Sequence, residues 1–600
     1  MSRRPIMVFD GDCGFCRLWI ERWRAATGER VDYKPYQSEA ARHPEVPRER
    51  FAEAVHLIEP NGRVSSGAQA VLRTLSYVPG ASWLPAVYAL PGFAPVAQAA
   101  YRFVAARRPV FSRATRLLWG ESPVPAPIDR TARLVLAGIG VCYLVGFISL
   151  GVQIRGLLGA DGVMPAVAML DAAKTQLAGS RFWALPTLGW LSASDAALIG
   201  YCWLGASASV GLIFGVASGP CALIAWVLYL SLAAVGFHFM SFQWDVLLLE
   251  AGLIACLLAP WNIVSRTSAP PSRGALWLLR LLLFKLMLQS GLVKILSGDA
   301  AWRDLSALTY HYWTQPLPTP LAWWADRLPL WAQKISCAIL LAIEIGAPWL
   351  ILAPRRARAL GAAAIAALML VIAATGNYGF FNLLTLVLCL ACLDDRFFKA
   401  ETAPNRVRPS KARAWIVGVY AILWLTISWV QSAAIIGMRS PAPAQWIANA
   451  ASPLRSINQY GLFAVMTKTR DEIAIEVSVD GLDWREWPFL YKPGDPRRAP
   501  PFVAPHMPRL DWQMWFAAFS EMSDNPWFGN LIYRVLQGSA AATALLGPNP
   551  LGGAVPVYAR AVRYETTFSA PAQRRADGSW WQRRRKNLFC PVVSLKAASR

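Results

Sequence analysis

The chain has 600 residues and a mass of 65.9 kDa, and 55% of its residues are hydrophobic whereas only 16% are charged. Soluble globular proteins carry roughly a quarter charged residues, so this composition excludes a single soluble globule and a disordered chain. A formal charge of +23 would indicate nucleic acid as the partner of a soluble protein, but a lipid bilayer explains it for a membrane protein. We therefore predict a polytopic α-helical membrane protein that binds no nucleic acid.

Residues 1–120 alternate short strand-like and helix-like segments, which is typical of a small α/β domain. We interpret the Pro- and Trp-rich stretch 79–95 as a segment at the membrane surface and residues 121–130 as a linker. The pattern predicts strands at Ile6–Asp10, Val31–Tyr36 and Val55–Glu59, and helices at Cys13–Thr27 and Gly67–Tyr77.

Two cysteines follow the first predicted strand directly and open the first helix. A thiol at a helix N-terminus lies at the positive end of the helix dipole, which stabilises the thiolate. The two residues between Cys13 and Cys16 bring the second sulfur within disulfide reach. The spacing therefore predicts a redox pair in which Cys13 attacks and Cys16 resolves, although the nearby negative charges of Asp10 and Asp12 disfavour a thiolate.

Two other interpretations of this pair remain open, namely half of a metal site or two inert thiols. A zinc site needs four ligands, and only His43 and His56 could complete one in this domain. We predict no metal site and no cofactor.

Residues 8–16 resemble the signature of the DCC family of thiol-disulfide oxidoreductases, through the run Val8-Phe9-Asp10-Gly11-Asp12-Cys13-Gly14-Phe15-Cys16. Tyr101–Arg108 resembles the C-terminal segment of the same family. The resemblance covers about residues 5–120 and implies a thioredoxin-like fold, a redox-active Cys13 and Cys16, and a thiol redox partner whose identity is unknown.

Long apolar segments begin near residue 131, each close to the roughly 20 residues that cross a bilayer. They predict a transmembrane domain of about nine spans over residues 131–436. The segments lie near 134–154, 195–217, 220–239, 243–261, 275–297, 335–353, 358–375, 378–394 and 414–436.

Loop charges orient this domain, because cytoplasmic loops are enriched in Lys and Arg. The turns Met240–Phe242 and Gly376–Gly379 carry neither residue, and the first residues lack the apolar stretch of a secretory signal. We therefore predict an inner (cell) membrane protein with a cytoplasmic N-terminus and a periplasmic C-terminal domain. The predicted inside loops carry Arg266, Arg273, Arg355, Arg356, Arg358, Arg396, Lys399, Arg406, Arg408, Lys411 and Arg413.

Residues 437–600 are soluble in character and predicted to be rich in β-structure. Glu472–Val479 alternates with period two and is followed by Asp480-Gly481 and then Trp484–Tyr491, which predicts a hairpin. Val555–Phe568 predicts a further strand and Asp511–Phe519 a short helix. We interpret the Arg- and Trp-rich stretch 574–586 as a contact for phospholipid headgroups.

Six of the charged residues within the apolar spans are candidates for a role, because charges there are costly and are either paired or functional. One interpretation is a set of ion pairs between helices together with snorkelling near the helix ends. The other is a polar cavity for a client segment, a lipid headgroup or a reactive lysine, with Asp245, Glu250 and Lys285 as candidate binding residues. The other three are Arg280, Lys294 and Glu344.

The loop 298–334 is dense in aromatic residues beside a Pro-rich strip. We interpret Tyr310, His311 and Trp313 as candidate client-binding residues of a non-cytoplasmic recognition surface. The alternative is an interfacial aromatic belt.

Motifs along residues 130–595 resemble the lipase maturation factors. The resemblance implies a membrane protein that helps exported proteins such as lipases to fold and assemble, here joined to a thiol domain. Its motifs include Phe242-Gln243-Trp244-Asp245, Asn377-Tyr378-Gly379-Phe380-Phe381-Asn382, Gln459-Tyr460-Gly461-Leu462-Phe463 and Arg509-Leu510-Asp511-Trp512.

Two enzyme hypotheses stand beside this one. The chain could be a membrane-anchored thiol-disulfide oxidoreductase whose membrane part anchors Cys13 and Cys16. Alternatively, Gly291–Lys294 followed by Trp302 resembles a lysine-bearing span of the vitamin K-dependent carboxylase-like membrane family, which implies Lys294 as a catalytic base. No Gly-x-Ser-x-Gly motif occurs, so an ordinary serine lipase is excluded.

Overall fold

The computed structural model describes residues 4–262, 270–398 and 410–595. Arg266, Lys399, Arg406 and Arg408, which entered the orientation argument, lie outside these residues. The chain divides into two compact units, one of residues up to Pro127 with Ala353–Ala359, and one of Ile128–Leu352 with the chain from Leu360 onward.

The first unit is built on a four-stranded sheet with the strand order β2-β1-β3-β4. Strand β1 pairs parallel with β2 and antiparallel with β3, which pairs antiparallel with β4. A parallel pair needs a crossover connection, and the first helix of the chain provides it. The strands are β1 (Ile6–Phe9), β2 (Asp32–Pro35), β3 (His56–Ile58) and β4 (Val64–Ser66).

Five helices of 5 to 14 residues pack around this sheet, with Met7, Val8 and Leu57 fully buried. The predicted strands and helices are found within a few residues of their expected ends, which confirms the α/β, thioredoxin-like domain. Short helices at Tyr36–Glu39 and Arg48–Glu53 connect β2 to β3. The five helices are α1 (Gly14–Thr27), α2 (Gly67–Leu75), α3 (Leu84–Tyr88), α4 (Phe93–Ala106) and α5 (Arg108–Trp119).

Each of the nine predicted apolar segments of the second unit falls on a helix. The helices are α6 (Asp129–Gly151), α7 (Asp195–Phe214), α8 (Ser218–Val235), α9 (Gln243–Leu258), α10 (Arg273–Leu296), α11 (Leu330–Ile351), α12 (Arg355–Thr375), α13 (Phe381–Leu390) and α14 (Lys411–Ile435).

Seven of these helices are long and apolar enough to cross a membrane, so the chain is an integral multi-pass membrane protein. Helices α9, with 16 residues, and α13, with 10, are shorter. Helix α9 ends at Leu258, and the extended backbone of the following Ala259 precedes Pro260, a residue that cannot continue a helix. The count of nine crossings stays a prediction.

The C-terminal part of this unit carries a second four-stranded sheet, with the order β6-β5-β7-β8. The predicted hairpin is confirmed by the antiparallel register of Ile475 with Trp487. The connection, residues 479–484, is longer than a two-residue turn, and within it the Asp480 carboxylate accepts the N–H groups of Leu482 and Asp483. The elements are β5 (Asp471–Ser478), β6 (Arg485–Trp487), α15 (Arg509–Ala517), α16 (Pro526–Leu536), β7 (Tyr558–Phe568) and β8 (Trp581–Val593).

Strand β8 contains the second half of the stretch 574–586, whose contact with lipid headgroups stays a prediction. Its basic side chains pair with acidic residues of the neighbouring strands: Arg583 lies 2.9 Å from Glu486, and Lys586 lies 2.9 Å from Asp471. Three of the six basic residues of this stretch, Arg583, Arg584 and Lys586, are therefore paired within the sheet.

The membrane helices and the C-terminal sheet share one continuous hydrophobic core. Trp244 of α9 meets Trp512 of α15 edge to face, with ring centroids 4.7 Å apart. Shorter helices complete this unit at Ile154–Leu158, Ala166–Leu177, Arg181–Ala184, Ala300–Arg303, Ala307–Thr314, Pro320–Ala325, Ala442–Ala451, Ala540–Thr543 and Pro571–Asp577.

Candidate functional site

The thiol pair lies at the N-terminus of α1, where the sequence places it. Cys13 is the N-cap residue and is half-buried, and its Sγ accepts the backbone N–H of Cys16 at 3.3 Å. The positive end of the helix dipole also lies at this sulfur. Burial, together with the neighbouring Cys13, raises the pKa of Cys16 to about 12. The geometry suits an attacking Cys13 and a resolving Cys16.

The two acidic residues beside the thiols are held by hydrogen bonds. The Gln37 amide donates to Asp10 at 3.0 Å and to Asp12 at 3.1 Å, and the guanidinium of Arg108 lies 3.7 Å from Asp10. These donors partly compensate the negative charge beside the sulfurs. A side chain at Gly11 would place its Cβ 2.8 Å from that of Pro35, so this close turn requires glycine.

The resembled segment Tyr101–Arg108 belongs to the same site. The Tyr101 hydroxyl accepts the N–H of Val55 at 3.0 Å, at the start of the strand next to β1. An apolar cavity of about 390 Å³ lies beside Cys16 and is lined by Trp19, Trp23 and Val55 among others. The cavity offers space for an apolar side chain next to the thiol pair.

The histidines considered as zinc ligands have other partners. His43 Nδ1 lies 3.1 Å from Glu45, and His56 Nδ1 lies 3.0 Å from the carbonyl of Ala54. Within residues 4–262, 270–398 and 410–595, no group of three or more His, Cys, Asp or Glu residues could hold a metal ion.

Glu250, on α9, is the centre of the first polar cluster within the membrane helices. It is fully buried and lies 2.6 Å from Lys285 Nζ of α10. The Trp424 indole and the Tyr460 hydroxyl each donate to it at 2.7 Å, and so does the backbone N–H of Asn458. The cluster joins three membrane helices to the segment that leads into the C-terminal sheet.

Asp245 forms the second cluster, one turn of α9 away. Arg509, the first residue of α15, reaches both carboxylate oxygens, at 2.8 and 3.0 Å. Tyr229 of α8 donates to the same carboxylate at 2.5 Å, and Arg509 also donates to the carbonyl of Phe239 at 2.6 Å. A bidentate, fully buried pair therefore fixes the C-terminal domain to the membrane helices.

Lys294 is held by an ion pair with Glu344 of α11. Its ammonium lies 2.9 Å from each carboxylate oxygen and donates at 3.1 Å to the carbonyl of Ser290, so all three donors are occupied. Of the two interpretations of the intramembrane charges, these contacts favour ion pairs between helices. The geometry gives no support to Lys294 as a free base.

Tyr310, His311 and Trp313 lie on the helix Ala307–Thr314 and are half-buried. His311 Nε2 lies 3.2 Å from the Tyr378 hydroxyl, and its ring packs edge to face on Phe463 at 4.8 Å. Burial, together with the charge of Lys294, lowers the pKa of His311 to about 4, so its ring is neutral at pH 7. These contacts are intramolecular, and client binding by the three residues stays a prediction.

The sequence did not identify the partners that compensate the intramembrane acids. These partners are Arg509, Tyr229, Asn458 and Tyr460. A usable signal existed, because two acidic residues on one apolar helix require donors and the tail carries arginines and tyrosines in its longest motifs. The sequence alone could not tell which of them pair.

Three family models match the chain. They describe a lipase maturation factor transmembrane domain over residues 130–400, a lipase maturation factor C-terminal domain over residues 456–591, and a DCC1-like thiol-disulfide oxidoreductase over residues 7–114. The described folds of these three regions agree with that division.

Curated proteins match over most of their length. Lipase maturation factor 2 of Gallus gallus is 34% identical over 590 residues, covering 78% of this chain and 82% of that protein. Lipase maturation factor 2 of Homo sapiens is 34% identical over 591 residues, covering 77% of this chain and 82% of that protein. Lipase maturation factor 1 of Bos taurus is 34% identical over 501 residues, covering 77% of this chain and 89% of that protein. No solved structure matches the chain.

Proposed function

Because the chain belongs to the lipase maturation factor family, we propose that it is a membrane-embedded factor that assists the folding and assembly of exported proteins such as lipases. The observation that carries this proposal is the buried pair of Asp245 and Arg509, which joins the two matched domains. Because an assembly factor must present a stable surface to an unfolded client, a C-terminal domain built into the membrane body suits this role better than a tethered one.

The contacts of the second unit bring the C-terminal domain to one end of the membrane helices. Four loops between membrane helices contact this domain, through Gly162, Phe239, Trp313 and Asn377. They therefore lie at one end of the helices, and α9 and α13 each run from that end to the other despite their short length. We propose that all nine helices cross the membrane.

Loop charges indicate which end faces the cytoplasm. The four contacting loops carry five Lys or Arg residues, and the two short ones carry none. The loops at the other end, with the first residues of the helices that follow them, carry eleven. By the positive-inside rule, the C-terminal domain faces outward and the Asp129 end of α6 faces the cytoplasm.

The N-terminal unit adds a dithiol–disulfide exchange in this proposal. The Cys13 thiolate attacks a partner disulfide, forms a mixed disulfide and releases one partner thiolate. Cys16 then attacks the Cys13 sulfur, so that the partner leaves as a dithiol and Cys13 and Cys16 form a disulfide. The same steps in reverse order oxidise a partner dithiol. In either direction, the partner of the N-terminal unit is a thiol protein on the same side of the membrane.

The test compares active lipase exported by cells that carry the chain, lack it or carry a variant. We expect the activity per lipase molecule to fall several-fold without the chain and to be restored by it, whereas an unrelated exported phosphatase stays constant. Unchanged lipase activity without the chain would exclude lipases as clients. Unchanged activity with Cys13→Ser alone would separate the thiol unit from maturation and favour an independent membrane-anchored oxidoreductase.

Reporter fusions after residues 120, 315 and 500 test the orientation. A periplasm-specific reporter is expected to be active at 315 and 500 and silent at 120. Activity at 120, or silence at 500, would exclude the proposed topology.

A further inference from the structure

The last helices of the first unit expose an unusual amount of apolar surface. Val96 and Phe103 are seven residues apart on one face of α4, and Val110 and Leu117 are likewise seven apart on α5. A ring contact of 6.0 Å between Phe103 and Phe111 joins the two helices. Six residues are each more than half exposed and together define the α3–α5 face: Trp83, Leu90, Val96, Phe103, Val110 and Leu117.

The segment that forms this face carries charge of a single sign. Residues 60–120 contain seven arginines and no aspartate, glutamate or lysine. Arg102, Arg107 and Arg113 are exposed, and none of the ion pairs among the described residues involves them. Arg107 lies over the Phe103 ring at 4.2 Å, so cationic and apolar groups alternate on the surface.

We propose that the α3–α5 face rests on an anionic phospholipid surface. Helices that lie in a membrane interface combine exposed apolar residues with arginines, and each cation near an anionic leaflet strengthens binding. A second copy of the chain is a poorer occupant, because a symmetric dimer through this face would bring arginines together without a counter-charge.

The covalent link keeps this face close to a bilayer. Helix α5 ends at Trp119, and α6, a membrane helix, begins at Asp129. The intervening chain spans at most about 35 Å when fully extended. A tether of this length gives a high effective concentration at the surface, so modest affinity is enough for stable contact.

Lipid contact would also orient the thiol site. Helix α4 presents Val96 and Phe103 to solvent, but another of its faces carries Tyr101, whose hydroxyl binds the backbone of Val55 next to the thiols. Seating the exposed face on lipid would leave Tyr101 and the thiol pair undisturbed. The membrane would then restrict the directions from which a protein partner can approach Cys13.

The test places the photoreactive residue benzoylphenylalanine at position 103 of the full chain in lipid nanodiscs. After irradiation, mass spectrometry identifies what position 103 has captured. We expect phospholipid adducts in discs that contain one third phosphatidylglycerol, at a yield at least five-fold above that of the same residue at position 64. Val64, on the edge strand β4, is a matched control because it is also an exposed apolar residue.

A charge variant tests the electrostatic part. Replacing Arg102, Arg107 and Arg113 by glutamine together is expected to lower the adduct yield at least three-fold in the anionic discs. Equal yields at positions 103 and 64 would overturn the proposal. Capture of a second copy or of another protein at position 103 would also overturn it, and position 96 provides an independent site should the variant at 103 not fold.

Discussion

The thiol site of the first unit and the carboxylates of the second differ in how fully their polar groups are satisfied. Glu250 is fully buried and accepts hydrogen bonds from Lys285, Trp424, Asn458 and Tyr460. Cys13 is half-buried and receives one backbone N–H from Cys16. A buried carboxylate whose hydrogen-bonding capacity is filled holds helices together, whereas a half-buried sulfur is free to exchange partners. We therefore expect the buried carboxylate to contribute to stability and the half-buried Cys13 sulfur to take part in chemistry.

The buried ion pair of Asp245 and Arg509 is a second saturated contact, which we call the clamp, and breaking it should have the largest effect on stability. Arg509→Leu leaves a fully buried carboxylate without its cation, which typically costs about 3–5 kcal/mol. We expect a large fall in the apparent melting temperature of the detergent-solubilised protein and early proteolysis of the C-terminal domain.

The double variant Asp245→Leu with Arg509→Leu is its matched control. Removing both charges abolishes the unpaired ion, so the double variant should be more stable than Arg509→Leu alone. If the double variant were the less stable of the two, the assignment of the clamp would be wrong.

The ion pair of Lys294 and Glu344 offers the next test, because it distinguishes a clamp from a catalytic base. Lys294→Met should destabilise by roughly 3 kcal/mol by leaving Glu344 unpaired. Adding Glu344→Gln should recover most of the stability and also the yield of active lipase. Recovery of stability without recovery of function would favour the lysine as a base.

How far the sequence predicts this molecule depends on the range of the interactions. The helix after Ile6–Phe9 and the apolar helices follow from local periodicity and composition, and both were predicted. The clamp between Asp245 and Arg509 joins residues 264 positions apart, a pairing that no local pattern encodes. Strand β8 was missed because Arg583 and Lys586 interrupt its apolar alternation, and only their acidic partners on neighbouring strands explain them.

A buried carboxyl in the C-terminal domain should give a smaller, pH-dependent effect. Burial raises the pKa of Asp511 to about 6, although the N–H groups of Tyr491 and Lys492 bind the carboxyl at 2.9 and 2.8 Å. Folding therefore favours the protonated form of Asp511. Its contribution to the free energy of unfolding is fully present below about pH 4 and is lost as the pH rises through 6.

Asp511→Asn removes this titration while its amide oxygen can still accept both N–H groups. Relative to the wild type, the variant should gain stability between pH 4 and pH 7.5, by roughly 1–3 kcal/mol. Asp480→Asn is the control, because backbone hydrogen bonds lower the pKa of the exposed Asp480 to about 2, below this range. If the stability of Asp511→Asn and that of the wild type changed with pH in parallel, the raised pKa of Asp511 would be contradicted.

The thiol site should show the smallest change in stability and the clearest change in chemistry. Cys16→Ser removes the resolving sulfur but keeps the backbone N–H that the Cys13 Sγ accepts, so we expect less than about 1 kcal/mol of destabilisation. The mixed disulfide at Cys13 should then persist, and non-reducing electrophoresis should detect a partner that reductant releases. Cys13→Ser should trap nothing, since Cys16 is buried and its pKa of about 12 leaves little thiolate at neutral pH. If Cys13→Ser trapped a partner, or if neither variant did, Cys13 would not be the residue that carries the exchange.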